Sequence, residues 1–149
     1  MKILSGGQTG VDRAALDFAL INHIVCGGWC PKGRLAEDGP IPKKYPLQEA
    51  SSKSYSWRTE LNVRDSDATL VISSGNISNG TEFTINSAMK LKKPVLIIDL
   101  DKISPNLEEN VNNWLAENNV EILNIAGPRE SSRPGIYKKS YKLLEELFS

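Results

Sequence analysis

Residues 2–22, KILSGGQTGVDRAALDFALIN, hold a short apolar run, a glycine-rich turn and an amphipathic segment in immediate succession. The run 2–5 has the length of a strand, and the apolar residues from Val11 to Ala19 recur at the spacing of one helix face. A strand that leads through a tight turn into a helix is the building unit of α/β domains with parallel sheets. The opening of the chain therefore predicts that fold class.

The rest of the chain repeats this alternation of strand-length apolar runs and segments of helical period. The predicted strands are 2–5, 24–29, 68–73, 94–99 and 121–125. The predicted helices are 11–22, 55–65, 81–91, 107–118 and 135–148. The runs 69–72 and 95–98 are apolar without alternation, as in strands covered on both faces. We therefore predict a doubly wound α/β domain with a mainly parallel sheet of about five strands and helices on both faces.

Length and charge bound the architecture and the partners. The 149 residues include 18 basic and 18 acidic side chains, which gives a formal net charge of zero. This length is typical of one domain, so residues 1–149 are predicted to form a single ligand-binding domain. A protein that neutralises many phosphates of a nucleic acid is usually strongly basic. The balance argues against nucleic acid as the partner and leaves room for a small anion site.

Cysteine and histidine, the usual ligands of structural zinc, are scarce. Cys26 and Cys30 are the only cysteines and His23 is the only histidine, too few for a closed zinc site. We therefore expect free thiols and no metal coordinated by the protein. The N-terminal apolar run is too short for a secretory leader, and no stretch reaches the roughly 18 apolar residues of a membrane span. These features predict a cytoplasmic protein without a membrane segment.

The glycine-rich turn at 5–10 has the context of an anion site. Glycines allow close approach of the backbone to an oxyanion, and the free N–H groups of the first helical turn face it. The turn matches neither the P-loop nor the dinucleotide-binding fingerprint, and a tight turn without a ligand is the alternative. Thr9 and Asp12 have the spacing of a capping box, which predicts that Thr9 caps the helix. The candidate ligand-binding residues here are Gly6, Gly7, Gln8, Thr9, Gly10 and Arg13.

Two further polar loops follow predicted strands, at 74–81 and 127–133. If the strands are parallel, all three loops lie at the carboxyl edge of the sheet, where open α/β sheets bind ligands. Each loop alone could be only a polar turn. Their convergence predicts a shared anion site to which they contribute Ser74, Gly75, Gly80, Thr81, Pro128, Arg129, Glu130 and Ser131.

The segment 30–54 contains four prolines and no regular period, which is unusual in a compact domain unless the segment binds something. Its charged residues could contact a phosphate or a ring, or could be solvated. They are Lys32, Arg34, Glu37 and Asp38. The following helix carries an aromatic, a guanidinium, a hydroxyl and an amide group on one stripe, which favours a site wall. That stripe consists of Tyr55, Arg58, Thr59 and Asn62.

Eight short motifs follow one another along the chain: SGGQTGVDRA (5–14), GWCPKGR (28–34), AEDG (36–39), RT (58–59), NV (62–63), SDATL (66–70), GT (80–81) and NIAGPRES (124–131). Together they resemble the molybdenum cofactor carrier family over nearly the whole chain. The resemblance implies a Rossmann-like fold, in a circularly permuted branch of the superfamily that includes the lysine-decarboxylase-like phosphoribohydrolases. It also implies molybdenum cofactor (molybdopterin), a phosphorylated pterin with a dithiolene, as the bound ligand, and a homo-oligomer, a dimer or a tetramer.

The same resemblance places ligand contacts on the loops at 5–10 and 128–131 and on Gly75, Gly80 and Thr81. It adds a wall formed by Lys32, Arg34, Glu37, Asp38 and Arg58.

One position departs from the hydrolase relatives, whose PGGxGTxxE loop ends in a glutamate that takes part in catalysis. Thr84 stands at that place, so hydrolysis would need a carboxylate from Glu37, Asp38 or Glu130 instead. Three functions stay open: binding, protection or delivery of a phosphorylated pterin, phosphoribohydrolase or N-glycosidase action on nucleoside monophosphates, and sensing of a nucleotide derivative. We expect the first, with no catalytic residue.

Overall fold

The computed structural model describes all 149 residues. Its helices are α1 (Val11–Ile21), α2 (Tyr55–Arg64), α3 (Asn79–Lys90), α4 (Leu107–Glu117) and α5 (Ile136–Phe148). Its strands are β1 (Lys2–Leu4), β2 (Cys26–Gly27), β3 (Trp29–Cys30), β4 (Leu35–Ala36), β5 (Gly39–Pro40), β6 (Gln48–Glu49), β7 (Ala68–Ser73), β8 (Val95–Asp99) and β9 (Ile122–Ala126). Five of the strands form a parallel sheet in the order β2-β1-β9-β7-β8. The predicted doubly wound α/β fold is confirmed.

The strand order explains how helices cover both faces of the sheet. The connection from β1 through α1 to β2 and the connection from β7 through α3 to β8 run in opposite directions across the sheet. Parallel crossovers are right-handed, so α1 and α3 lie on opposite faces. Accordingly α1 packs against α5, and α2 packs against α3. No helix of the chain is long and apolar enough to cross a membrane.

The hydrophobic core forms where the middle strands meet α1 and α5. Every residue of β7 is buried, and Phe18 of α1 contacts the rings of Tyr141 and Phe148 of α5. The apolar face predicted for the first helix is buried as expected from its period. The long apolar runs therefore fill the interior and leave the loops to form a site.

One predicted strand, 24–29, is wrong in its extent. Only β2 joins the central sheet, whereas β3 pairs with β6 in a separate two-stranded sheet. Gly28 separates them with a φ of +134°, and a Cβ atom there would lie 2.2 Å from the Ser5 carbonyl oxygen. The chain therefore turns away from the sheet at a position that only glycine can occupy.

Three other expectations need correction. The run 95–98 is not covered on both faces, because β8 is an edge strand and Ile97 remains 46% exposed. Thr9 does not cap α1: the N-cap is Gly10, which makes no side-chain hydrogen bond, and the Thr9 hydroxyl instead accepts a hydrogen bond from the Glu130 backbone N–H at 3.1 Å. Segment 30–54 is also more regular than expected, since it contains β4, β5 and β6.

Candidate ligand-binding site

A cavity of about 590 Å³ opens at the carboxyl edge of the central sheet. The loop after β1, the face of α2, the first turns of α3 and the end of β9 form its walls. Only three of its 20 lining residues are hydrophobic, so it suits a polar ligand. Its volume falls within the roughly 300–1,000 Å³ typical of small-molecule sites.

The N-terminus of α3 gives the cavity a set of anion-binding donors. The Ser78 hydroxyl accepts a hydrogen bond from the Thr81 backbone N–H at 3.4 Å. The backbone N–H groups of Asn79 and Gly80 donate to no protein atom, as expected in the first turn of a helix. Free N–H groups and the positive end of the helix dipole favour an anion at this point.

Arg58 and Asp12 form the most buried ion pair of the cavity. Arg58 Nη1 lies 2.9 Å from Asp12 Oδ2, and the two side chains are only 12% and 7% exposed. Arg58 Nε donates to the Tyr55 carbonyl, and its guanidinium lies over the Tyr55 ring. Burial raises the pKa of Asp12, and the Arg58 charge opposes that rise. The pair stiffens α2 against α1 and leaves Arg58 Nη2 without a protein acceptor.

The inner part of the cavity holds two buried amides, Gln8 and Asn124. Gln8 Oε1 accepts hydrogen bonds from the backbone N–H groups of Thr9 and Glu37, which fixes the orientation of the amide. Asn124 lies on β9, and its Nδ2 is 3.3 Å from Thr69 Oγ1. Both side chains line the cavity.

The three loops predicted to converge do so, and side chains tie them together. The Thr9 hydroxyl accepts a hydrogen bond from the Glu130 backbone N–H, which joins the loop at 5–10 to the loop at 127–133. Glu37, in segment 30–54, accepts hydrogen bonds from the backbone N–H and hydroxyl of Ser131. Burial acts to raise the pKa of Glu37, but the hydrogen bonds to its carboxylate and the nearby Arg129 charge together outweigh burial and lower that pKa. Arg133 donates to the carbonyl groups of Ser74 and Asn76. The loops therefore form a connected rim around the cavity.

Seven of the predicted site residues line the cavity: Gly6, Gln8, Arg58, Gly80, Thr81, Pro128 and Arg129. The stripe predicted on the second helix also lies in its wall, with Tyr55, Thr59 and Asn62. Ligand contact by any of them stays a prediction. The other twelve predicted residues lie outside the lining: Gly7, Thr9, Gly10, Arg13, Lys32, Arg34, Glu37, Asp38, Ser74, Gly75, Glu130 and Ser131.

Five of the six charged residues outside the lining hold the loops, whereas the Lys32 ammonium group contacts no protein acceptor. Arg34 donates to four backbone carbonyl groups between residues 41 and 47 and so organises the proline-rich segment. Arg13 makes a two-point ion pair with Asp38, which lowers the pKa of that carboxyl. Glu130 accepts hydrogen bonds from the Gly135 and Tyr137 backbone N–H groups at the start of α5.

Several cavity residues were absent from the predicted set. Among them, Ser78 is a cap that directly precedes α3, and Asn124 is a polar residue in an otherwise apolar strand. Both signals are visible in the sequence, because a polar side chain within a buried strand needs a partner or a ligand. Asp12 has no such signal, since its partner Arg58 is 46 residues away.

Comparison with known proteins identifies the family. The model of the circularly permutated YpsA SLOG family matches residues 3–148. The chain belongs to the circularly permutated YpsA SLOG family. No curated protein matches it significantly. The crystal structure of a protein from Syntrophus aciditrophicus SB, named "Putative molybdenum carrier protein", is similar to it with a TM-score of 0.96 and 52% identity, over 99% of this chain and 94% of that one.

In this member of the SLOG family, no three His, Cys, Asp or Glu side chains are close enough to hold a metal ion. Thr84, at the position of the hydrolase glutamate, lies in the cavity wall, and its hydroxyl donates to the Gly80 carbonyl. The cavity of this SLOG protein therefore has one carboxylate, Asp12, and that carboxylate is paired.

Proposed function

We propose that this protein binds a phosphorylated pterin-type ligand, specifically molybdenum cofactor, and protects it or delivers it. The observation that carries the proposal is the polar cavity at the carboxyl edge of the sheet, which combines a free helix N-terminus with Arg58 and Arg129. The name of the Syntrophus relative supports a molybdenum-containing cargo. The molybdenum would enter as part of the organic ligand.

The phosphate of the ligand would lie against the start of α3. Each hydrogen bond to a charged group contributes about 1.5–3 kcal/mol, and a helix N-terminus adds roughly 0.3–2 kcal/mol. The donors to such a phosphate are the N–H groups of Asn79 and Gly80 and the Thr81 hydroxyl, since the Ser78 hydroxyl already donates to Thr81 Oγ1. Together with ring contacts, these donors can supply the roughly 8 kcal/mol of micromolar binding.

Binding is better supported than hydrolysis. Glu37, Asp38 and Glu130, the carboxylates that hydrolysis of a nucleoside monophosphate would need, are engaged in loop contacts outside the cavity lining. Asp12 is held by Arg58. A general acid or base must reach the reacting atom directly or through one water. A nucleotide-derivative sensor would use the same cavity and is tested by the same ligands.

Replacing Gly80 with alanine tests the phosphate position. A Cβ atom there meets no atom within 4 Å, so the fold is expected to keep its free energy of unfolding. Gly80 lines the cavity, so the added methyl group would occupy space beside the free N–H groups and hinder the approach of a phosphate. We expect molybdopterin binding, measured by calorimetry, to weaken about 10- to 100-fold, the loss of one or two charged hydrogen bonds.

The matched control is Asn86→Ala, an exposed position on the same helix outside the cavity. It should leave the affinity unchanged. Equal affinities for Gly80→Ala and the unmodified protein would place the phosphate elsewhere. Absence of molybdopterin binding to the unmodified protein would contradict the proposed function itself.

We further propose that the protein acts in the cytoplasm as a homo-oligomer, a dimer or a tetramer. The edge strand β8 and the segments flanking it support this proposal, because they expose large apolar side chains. These are Met89, Leu91, Ile97 and Ile103. An unpaired strand edge and exposed apolar side chains both favour association. Light scattering of the purified protein should give a multiple of 16.4 kDa, and a monomer mass would contradict the proposal.

A further inference from the structure

Three buried side chains of the cavity carry polar atoms that the protein leaves unpaired. Gln8, Asp12 and Asn124 are 7%, 5% and 2% exposed. Gln8 Nε2 donates to no protein atom, and Asn124 Oδ1 accepts from none. Asp12 Oδ1 also lacks a hydrogen bond, since the nearby Ser5 hydroxyl donates to the Ile125 carbonyl at 2.7 Å.

These unpaired atoms are open to the cavity. The only side-chain nitrogen or oxygen in the chain that is both sealed by protein and unpartnered is Ser140 Oγ. The free atoms of Gln8, Asp12 and Asn124 therefore each keep an accessible side, and the cavity is the space that all three residues line. Buried polar groups are rarely left without partners, so their grouping indicates a ligand that pairs with them.

The unpaired atoms comprise two acceptors and two donors. The acceptors are Asp12 Oδ1 and Asn124 Oδ1. The donors are Gln8 Nε2 and the free Nη2 of Arg58, whose Nη1 holds Asp12. A heterocyclic ring edge with two adjacent hydrogen-bond donors and one acceptor complements this set. Its two donors can pair with the two protein acceptors, and its acceptor oxygen can receive hydrogen bonds from both protein donors.

We propose that Gln8, Asp12, Arg58 and Asn124 read the 2-amino-4-oxo-pyrimidine edge that pterins and guanine share. The two acceptors take the 2-amino group and the neighbouring ring N–H, and the donors bind the 4-oxo group. This inference rests on the proposed function, whose phosphate contacts lie elsewhere, at the start of α3. An adenine ring carries no such edge, and a 2-oxo ring places an oxygen acceptor against the protein acceptor that would take the 2-amino group.

Two pairs of ligands that differ at the 2-position test the proposal: GMP against IMP, and pterin against lumazine. Calorimetry for the nucleotides and fluorescence for the bare rings measure the affinities. We expect the amino member of a pair to bind about 10- to 100-fold more tightly, because the other member leaves a buried acceptor unpaired. Tighter binding of pterin than of lumazine indicates that the ligand is a pterin. Tighter binding of GMP than of IMP, without a difference between pterin and lumazine, indicates that the ligand is a guanine nucleotide.

Two variants assign the preference to these residues. Asp12→Asn and Asn124→Leu should each reduce the preference for the amino member at least about threefold, with folding checked by urea unfolding. Asp12→Asn removes the charge that pairs with Arg58 and could therefore destabilise the fold. Asn124→Leu changes no charge, so it tests the preference even if Asp12→Asn does not fold. Asp65→Asn is the control, since Asp65 also pairs with an arginine but lies outside the cavity lining.

The outcomes separate this inference from the proposed function. If molybdopterin binds and both members of each pair bind equally, edge recognition is overturned and the carrier function stands. If molybdopterin fails to bind while GMP is preferred over IMP, edge recognition stands and the carrier function fails.

Discussion

Replacing Arg58 with alanine should lower the free energy of unfolding by about 3–5 kcal/mol, the usual effect of removing one partner from a buried ion pair. The cause is the Asp12 carboxylate, which is 7% exposed and lies 2.9 Å from Arg58 Nη1. Without the guanidinium, the carboxylate keeps only the Gln8 backbone N–H as a donor. Urea unfolding at pH 7 measures the loss.

A double variant separates the ion pair from simple loss of packing. Arg58→Met with Asp12→Leu removes both charges and keeps much of the volume, so it should recover most of the stability lost by Arg58→Ala. A double variant as unstable as the single one would show that packing, rather than the unpaired charge, is the cause.

The stability deficit of Arg58→Ala should depend on pH. Burial already raises the pKa of Asp12, and removal of Arg58 takes away the charge that opposes this rise. The folded state then binds a proton more tightly than the unfolded chain, so stability increases as the pH falls through the raised pKa toward about 4. Unfolding curves at several pH values should show the deficit shrinking in acid, and a constant deficit would contradict this explanation.

The second large effect is expected for Gly127→Ala, at the end of β9. A Cβ atom at this position would lie 2.2 Å from the Ile72 carbonyl oxygen and 2.6 Å from Val11 Cγ2. Neither the backbone of β7 nor the start of α1 can move without disturbing the core, so we expect a loss near the upper end of the roughly 1–3 kcal/mol that overpacking usually costs. The measurement is the midpoint and slope of urea unfolding.

Gly80→Ala is the matched control, because the same methyl group enters open space there. It should unfold at the same urea concentration as the unmodified protein or at a slightly higher one, because alanine favours a helix more than glycine does. If Gly127→Ala is equally stable, the close packing of β9 between β7 and α1 is less rigid than the structure indicates. The two alanines thus separate a glycine required by packing from one that leaves room for a ligand.

The sheet was predictable because its information is local. Strand β7 matches its predicted bounds, and the other long elements differ by one or two residues at their ends. Apolar runs and helical periods report burial directly. The prediction of a strand at 24–29 was wrong because the local sequence does not show whether Gly28 continues the strand or turns the chain out of the sheet. The close contact between Gly28 and the Ser5 carbonyl, which requires glycine, appears only in the folded chain.

The position of the cavity at the carboxyl edge was also predictable, since it follows from parallel strands. The roles of the charged residues were not. Arg34 and Glu130 resemble ligand-binding groups in the sequence, yet they bind backbone groups of segment 41–47 and of α5. A charged side chain in a loop pairs with the donor or acceptor that the folded chain brings close to it. That partner is distant in the sequence or part of the backbone, so residue spacing does not reveal it.

The sequence by itself determined the parallel α/β architecture, the glycine-bearing loops at one sheet edge and the membership in a family through motifs spread over the chain. Only the tertiary structure decided which side chains face the cavity. Asp12 and Arg58 meet across 46 residues, and Asn124 reaches the cavity from the middle strand. The reason is physical: periodicity specifies which face of an element is buried, whereas the pairing of polar groups depends on how distant elements pack together.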